Sequence, residues 1–194
     1  MKLPVMKNRR LAILFCLCAL SAWARVNAAE NESPGPAGAL RAIPALDVPR
    51  YMGTWYEIAK YPNWFQKKCS GATQAHYSLL GDGRVKVLNR CRAAGGELSE
   101  ASGMARQLGS STSAKLQVRF APAWLSFLPF VWGDYWVIEL DEHYQLVAVS
   151  EPKREYLWIL SRTPRVDPAV YNALLARLRQ KGFDLNKLEL TQQD

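Results

Sequence analysis

Tyr51-Met-Gly-Thr-Trp-Tyr-Glu-Ile-Ala-Lys-Tyr-Pro-Asn-Trp-Phe-Gln66 decides the fold. From Gly53 to Tyr61 apolar and polar residues alternate around Trp55, the period of a strand with one buried face. Pro62 ends the run, because proline cannot donate to a sheet ladder. The same period returns along the chain. Thr73, Ala75, Tyr77 and Leu79 oppose Gln74, His76 and Ser78, and Val85, Val87 and Asn89 oppose Arg84, Lys86 and Arg90. Gly81-Asp82-Gly83 between them reads as a hairpin turn, since glycine takes positive φ without steric cost. Further strands read at 97–108, 115–120, 135–140, 145–149 and 155–161. In 115–120, Leu116, Val118 and Phe120 are expected inside and Lys115, Gln117 and Arg119 outside.

Short strands at this regular spacing predict an all-β barrel or sandwich. An eight-stranded antiparallel up-and-down meander closes into a barrel and abolishes its edges. The small residues Ala75, Ala101, Gly103 and Ala105 fall on inward faces. They suit a ligand cavity and a tapering packed core equally well. One α-helix follows the strands. Asp167 is its N-cap, Pro168 suits its first turn, and Val170, Leu174 and Leu178 recur as one apolar face. Gly182 is placed to end it, and a last strand is expected near 187–190.

The chain has 194 residues, 49% of them apolar, and a formal net charge of +8. That suits one domain and excludes a disordered chain. Lys2, Lys7, Arg9 and Arg10 precede an apolar run at 11–24, and Val26-Asn27-Ala28 ends in the small-residue pattern of a cleavage site. Residues 1–28 therefore read as a signal peptide, 29–45 as a flexible leader with Pro34, Pro36 and Pro44, and 46–194 as the domain. Cleavage would remove five of the 25 basic residues and none of the 17 acidic ones, leaving +3. A nucleic-acid partner loses its main support.

Cys16 and Cys18 leave with the leader, and Phe15 and Leu17 before them do not form a lipid-attachment site. The expected product is exported and periplasmic, soluble or peripheral to the membrane, without a lipoprotein anchor. Cys69 and Cys91 remain, and an oxidising compartment favours one disulfide between them. The alternative is a two-cysteine metal site, which only His76 and His143 are available to complete.

Three blocks resemble a known family. Gly53-Thr54-Trp55 within its surroundings resembles the opening signature of the lipocalins, in the branch of bacterial lipocalins and apolipoprotein D. Tyr135-Trp-Val-Ile-Glu-Leu-Asp-Glu-His-Tyr144 and Tyr156-Leu-Trp-Ile-Leu-Ser-Arg-Thr-Pro164 resemble the second and third family blocks. The resemblance implies an eight-stranded barrel, a C-terminal helix packed outside it and a cavity for hydrophobic ligands. It also implies that Gly53, Trp55 and Arg162 close one end, with the guanidinium over the indole.

Alternation and the resemblance together place Tyr77, Asn89, Phe120, Tyr135 and Trp158 in the cavity, with Glu139 on the face of Tyr135. A few polar groups in an apolar barrel suit a fatty acid or lysophospholipid. Glu139 would need a partner that the sequence does not name. The segment Ala121-Pro-Ala-Trp-Leu-Ser-Phe-Leu-Pro-Phe-Val-Trp-Gly133 is long and apolar for a loop. With Trp64 and Phe65 it would put Trp124, Leu125, Phe127, Leu128, Phe130 and Trp132 at the barrel mouth. Such a patch suits contact with a membrane surface, a loop folded on itself or a homodimer contact.

No catalytic set is legible, and no cofactor or metal is expected. His76 sits among outward residues, His143, Asp141 and Glu142 lie in a turn, and no Ser–His–Asp or Cys–His arrangement is present. A haem carrier would need an inward His, which the alternation does not supply. Two readings stand: a non-catalytic carrier of an amphipathic lipid, and an envelope-maintenance protein acting through its aromatic loop. A lipocalin-type enzyme is the third.

Overall fold

The computed structural model describes residues 38–193, so the expected signal peptide and the start of the leader lie outside the described residues. The chain enters through a one-turn helix α1 (Val48–Tyr51), whose N-terminus Asp47 caps by accepting from the Arg50 amide. The strands are β1 (Gly53–Lys60), β2 (Cys69–Leu79), β3 (Val85–Ala93), β4 (Leu98–Gln107), β5 (Lys115–Arg119), β6 (Gly133–Leu140), β7 (Leu146–Ser150) and β8 (Leu157–Ser161). Each pairs antiparallel with the next, and β1 pairs with both β2 and β8, which closes the barrel. Helix α2 (Pro168–Gln180) follows, and a two-residue strand β9 (Glu189–Leu190) pairs with the far half of β1.

The up-and-down course gives the barrel two unlike ends. At one, α1 and short turns cover the opening. At the other lie the β1–β2 loop, with Trp64 and Phe65, and the long β5–β6 loop. Two apolar clusters hold the structure. Trp55, Ala75, Tyr77, Val87, Val137, Val149 and Leu160 fill the barrel toward the closed end, joined by Leu46 and Tyr51. Ala59, Ile138, Ala148, Ile159, Leu174, Leu178 and Phe183 join the outer wall to α2.

Helix α2 ends as the glycine placement predicts. Gly182 has φ 83°, its amide donates to the Arg179 carbonyl, and the Phe183 amide donates to the Leu178 carbonyl. This is a Schellman motif, and it drops the Phe183 ring back onto the wall. The expected helix face is narrower than its spacing suggests. Leu174 and Leu178 are buried, but Val170 and the rest of the first turn are exposed. The last strand is also shorter than expected, since a 3₁₀ turn (Leu185–Lys187) takes its first residues.

The leader needs a correction over its described part. Residues 38–45 are docked: Leu40 is buried and the Ile43 amide donates to the Val137 carbonyl. Apolar burial wins over the local freedom that Pro44 and the glycines suggested. Asp141, expected in a turn, accepts from the amides of His143, Gln145 and Leu146 and organises the β6–β7 turn.

Candidate functional site: the barrel interior and its mouth

The closed end is sealed by side chains. The Arg162 guanidinium lies 3.9 Å from the Trp55 ring centroid. It donates to the carbonyls of Thr54, Arg50 and Tyr144, and burial pushes its pKa down. Gly53 has φ 95°, and a Cβ there would meet Arg162 Nη1 at 3.3 Å. Both the backbone and the guanidinium therefore call for glycine. The Trp55 indole donates to the Tyr51 carbonyl at 2.8 Å.

Three tyrosines lie above this seal. Tyr51 stacks on Tyr77 with ring centroids 5.8 Å apart, and Tyr135 meets Tyr77 edge-on. Their hydroxyls form a chain: Tyr51 to Tyr135 is 2.8 Å and Tyr135 to Tyr77 is 3.1 Å. Burial pushes all three phenols well above their ordinary range, so they are neutral at physiological pH.

The middle of the barrel is lined on one side by small residues. Ala75, Asn89 and Ala101 face each other across β2–β4, as do Val87 with Gly103 and Val85 with Ala105. Asn89, Val118, Tyr135 and Trp158 point inward but keep accessible surface, and Ala101 is exposed. Phe120 lies one residue past the end of β5 and is 45% exposed. A Cβ on Gly103 would come within 2.8 Å of the Phe120 ring, which places that ring at the rim over Gly103.

Glu139 requires a correction. The β6–β7 ladder shifts register between Val137 and Glu139, and the extra residue reverses the alternation. Glu139 faces outward and pairs with Arg177 at 2.7 Å and Lys181 at 3.1 Å on α2. It is the partner of the helix, not of a ligand. The buried carboxylate of the barrel is Glu57, which the sequence did not single out. Its oxygens accept from Thr191 Oγ1 at 2.6 Å and Gln66 Nε2 at 2.7 Å, and burial raises its pKa. Gln66 also accepts from the Trp158 indole at 3.0 Å. This network ties the β1–β2 loop and the C-terminal segment to the wall. Gln66 stood within the opening stretch of sequence, but a glutamine in a loop carries no pattern of its own.

At the mouth, Trp124, Phe127 and Phe130 are 73%, 75% and 80% exposed. Trp64 is equally open and Phe65 half so, its ring against Tyr156 and Trp158. Leu125 and Leu128 are half-buried within the β5–β6 loop. Trp132 does not join the exposed group. It lies against Arg106, 4.1 Å from the ring centroid, and Arg119 at 5.3 Å, and its indole donates to the Ser126 carbonyl. Arg119, expected to be exposed, is buried beneath it, donates to the Ala121 carbonyl and leaves its Nε without an acceptor.

Cys69 and Cys91 form a disulfide, with their Cα atoms 5.5 Å apart. It pins the mouth end of β2 to β3. His76 lies on the outer wall with Nδ1 3.0 Å from Thr54 Oγ1, and His143 is exposed in its turn. Among the described residues no group of three or more His, Cys, Asp or Glu side chains is arranged to hold a metal. Nor is any helix among them long and apolar enough to cross a membrane.

A family model described as a lipocalin-like domain matches residues 46–193. Temperature-induced lipocalin-1 of Arabidopsis thaliana is 40% identical over 156 residues, covering 79% of this chain and 83% of that protein. The outer membrane lipoprotein Blc of Escherichia coli (strain K12) is 39% identical over 163 residues, covering 84% and 88%. Mouse apolipoprotein D is 35% identical over 154 residues, covering 76% and 77%. Among solved structures, insecticyanin from the tobacco hornworm Manduca sexta superposes with a TM-score of 0.62 at 18% identity, covering 82% of this chain and 87% of that one. The closed barrel, its external helix, the sealed end and these matches agree: the chain belongs to the lipocalin family, whose members generally bind hydrophobic ligands.

Proposed function

We propose that this protein is a non-catalytic carrier of a chain-like lipid, a fatty acid or lysophospholipid, held inside the barrel. The observation that carries this reading is a set of inward side chains that keep accessible surface: Asn89, Val118, Tyr135 and Trp158. They lie between the seal of Trp55 with Arg162 and the exposed rings of the mouth loops. A concave apolar site with few polar groups is what such a ligand requires. Tyr77, Asn89, Tyr135 and Trp158 line it, with Phe120 at the rim. Native mass spectrometry of the purified protein should show a bound acyl lipid. An empty barrel with no affinity for added fatty acid would overturn the reading.

The exposed rings favour a second component: the mouth rests on a membrane surface while lipid enters or leaves. Trp124, Phe127 and Phe130 are too exposed to be stabilising their own loop, and Lys67 and Lys68 stand beside Trp64 and Phe65 to meet anionic headgroups. The working location is the bacterial envelope, on the periplasmic side. Support comes from the leader-like N-terminus of the sequence and from the similarity to outer membrane lipoproteins. Liposome co-sedimentation tests the contact. Replacing Trp124, Phe127 and Phe130 together by Ser should abolish it, and unchanged sedimentation would sink the membrane component while leaving the carrier intact.

A further inference from the structure

A cavity of about 350 Å³ opens beneath the β1–β2 loop, between the end of β1, the start of β2 and β9. Lys60, Trp64, Gln66, Lys67 and Glu189 are on its walls. Its charges are of both signs. Lys60 Nζ lies 3.3 Å from Glu189 Oε2, and the two side chains are 15% and 59% exposed. An ammonium has three hydrogens to donate, and Glu189 takes one of them. Lys67 is exposed and has no hydrogen-bond or ion-pair partner among the described residues. The cavity also adjoins the side chains that line the barrel. Lys60 stands opposite Trp158 in the β1–β8 ladder, so the two side chains leave the sheet on the same face. Gln66 accepts from the Trp158 indole.

We propose that this cavity holds the zwitterionic head of the ligand, its phosphate on Lys60 and Lys67 and its ammonium on Glu189, while the acyl chain passes Trp158 into the barrel. The proposal rests on the carrier reading and specifies its ligand as a lysophospholipid with an amine, held head outward. The mixed charge of the walls is the reason. A head with negative charge alone is drawn to the lysines and repelled by Glu189. A phosphoethanolamine head turns that repulsion into attraction, because its ammonium meets Glu189 where its phosphate takes over Lys60. The Trp64 ring on the same wall suits an ammonium as well. Lys67 and Glu189 are exposed, so the head keeps part of its hydration and avoids the full cost of burying charge. A bilayer phosphatidylethanolamine carries the same head, and the experiment separates the two sources.

The probes are myristoyl lysophosphatidylethanolamine, which carries both charges, myristoyl lysophosphatidic acid, which lacks the ammonium, and myristate. Each is measured below its micellar concentration by displacement of a fluorescent reporter from the protein and from its Glu189→Gln and Lys67→Gln variants. Glu189→Gln should weaken lysophosphatidylethanolamine about fivefold, the net worth of one hydrogen bond. It should leave lysophosphatidic acid unchanged or tighter, because Lys60 loses a competing partner. Lys67→Gln should weaken both lysolipids about threefold, as for an exposed ion pair. A purely structural role of Glu189 would shift both lysolipids in the same direction, and equal effects overturn the head site while the carrier reading stands. Sedimentation with vesicles of phosphatidylethanolamine and phosphatidylglycerol should be the same for the protein and Glu189→Gln. Sedimentation lost in the variant, with lysolipid affinities unchanged, would give the cavity to a bilayer headgroup and overturn the proposal. Binding of myristate but of neither lysolipid overturns the head site alone. Failure of the unaltered protein to bind any of the three defeats the carrier reading and the head site with it.

Discussion

The two ends of this barrel are built from the same residue types to opposite purposes. At the closed end the rings of Tyr51, Trp55 and Tyr77 are buried, and the Trp55 indole and each nitrogen of the Arg162 guanidinium have a carbonyl partner. At the mouth, rings of similar size stand in solvent, and the loops that carry them are short 3₁₀ turns punctuated by Pro122 and Pro129. The difference teaches that aromatic content alone says nothing about role. A ring contributes to stability where strands surround it, and to recognition where a loop holds it away from them.

The sharpest way to break this comparison is to remove one ring from each end. Trp55→Ala should cost about 3–5 kcal/mol, because it leaves a cavity beneath the tyrosines and strips Arg162 of its platform. Phe130→Ala should change stability by no more than about 0.5 kcal/mol, the usual range for an exposed site. Urea unfolding of both variants measures the contrast, and similar losses would mean the two ends are not distinct.

Next in size is the disulfide, the covalent fixture of the mouth. Replacing Cys69 and Cys91 by Ala should cost about 3 kcal/mol in the chain-entropy model, given their separation of 22 residues. The same urea titration reads it, and a loss below about 1 kcal/mol would show that strand pairing alone holds β2 to β3. Removing the outward charge pair should matter less. Glu139→Gln loses two partly exposed ion pairs to α2 and should cost about 1 kcal/mol or less. A loss as large as that of Trp55→Ala would return Glu139 to the interior.

The smallest effect is a slope. Burial raises the pKa of Glu57 in the folded chain, so the folded state holds its proton more tightly than the unfolded state. The associated stability is present in full below the ordinary glutamate pKa of 4.5 and is lost as pH rises through the raised folded value. Glu57→Gln should flatten this part of the profile, followed as melting temperature against pH. An unchanged slope would place the pH dependence elsewhere.

Much of this was legible in the sequence. Local alternation located the eight barrel strands to within a few residues, and Asp167 and Gly182 bracketed the helix. Alternation also named Tyr77, Asn89, Tyr135 and Trp158 as inward, and the structure places them there. It failed for Glu139, where a single bulge reverses the faces. A bulge leaves little local signal, because it records a mismatch between two strands and not a preference of one. Trp132 and Arg119 show the same limit, since the Trp132 ring meets both Arg119 and Arg106 of the neighbouring strand.

The sequence by itself determined the periodicities, the helix caps, the cysteine pair and the three family blocks, all of which depend on residues close along the chain. Only the tertiary structure decided which groups meet. Tyr51 and Tyr135 are 84 residues apart, and Glu57 and Thr191 are 134 apart, yet their oxygens lie within hydrogen-bonding distance. Such meetings follow from how the strands register when the barrel closes. That is a property of all the pairings together, and no single segment of the sequence carries it.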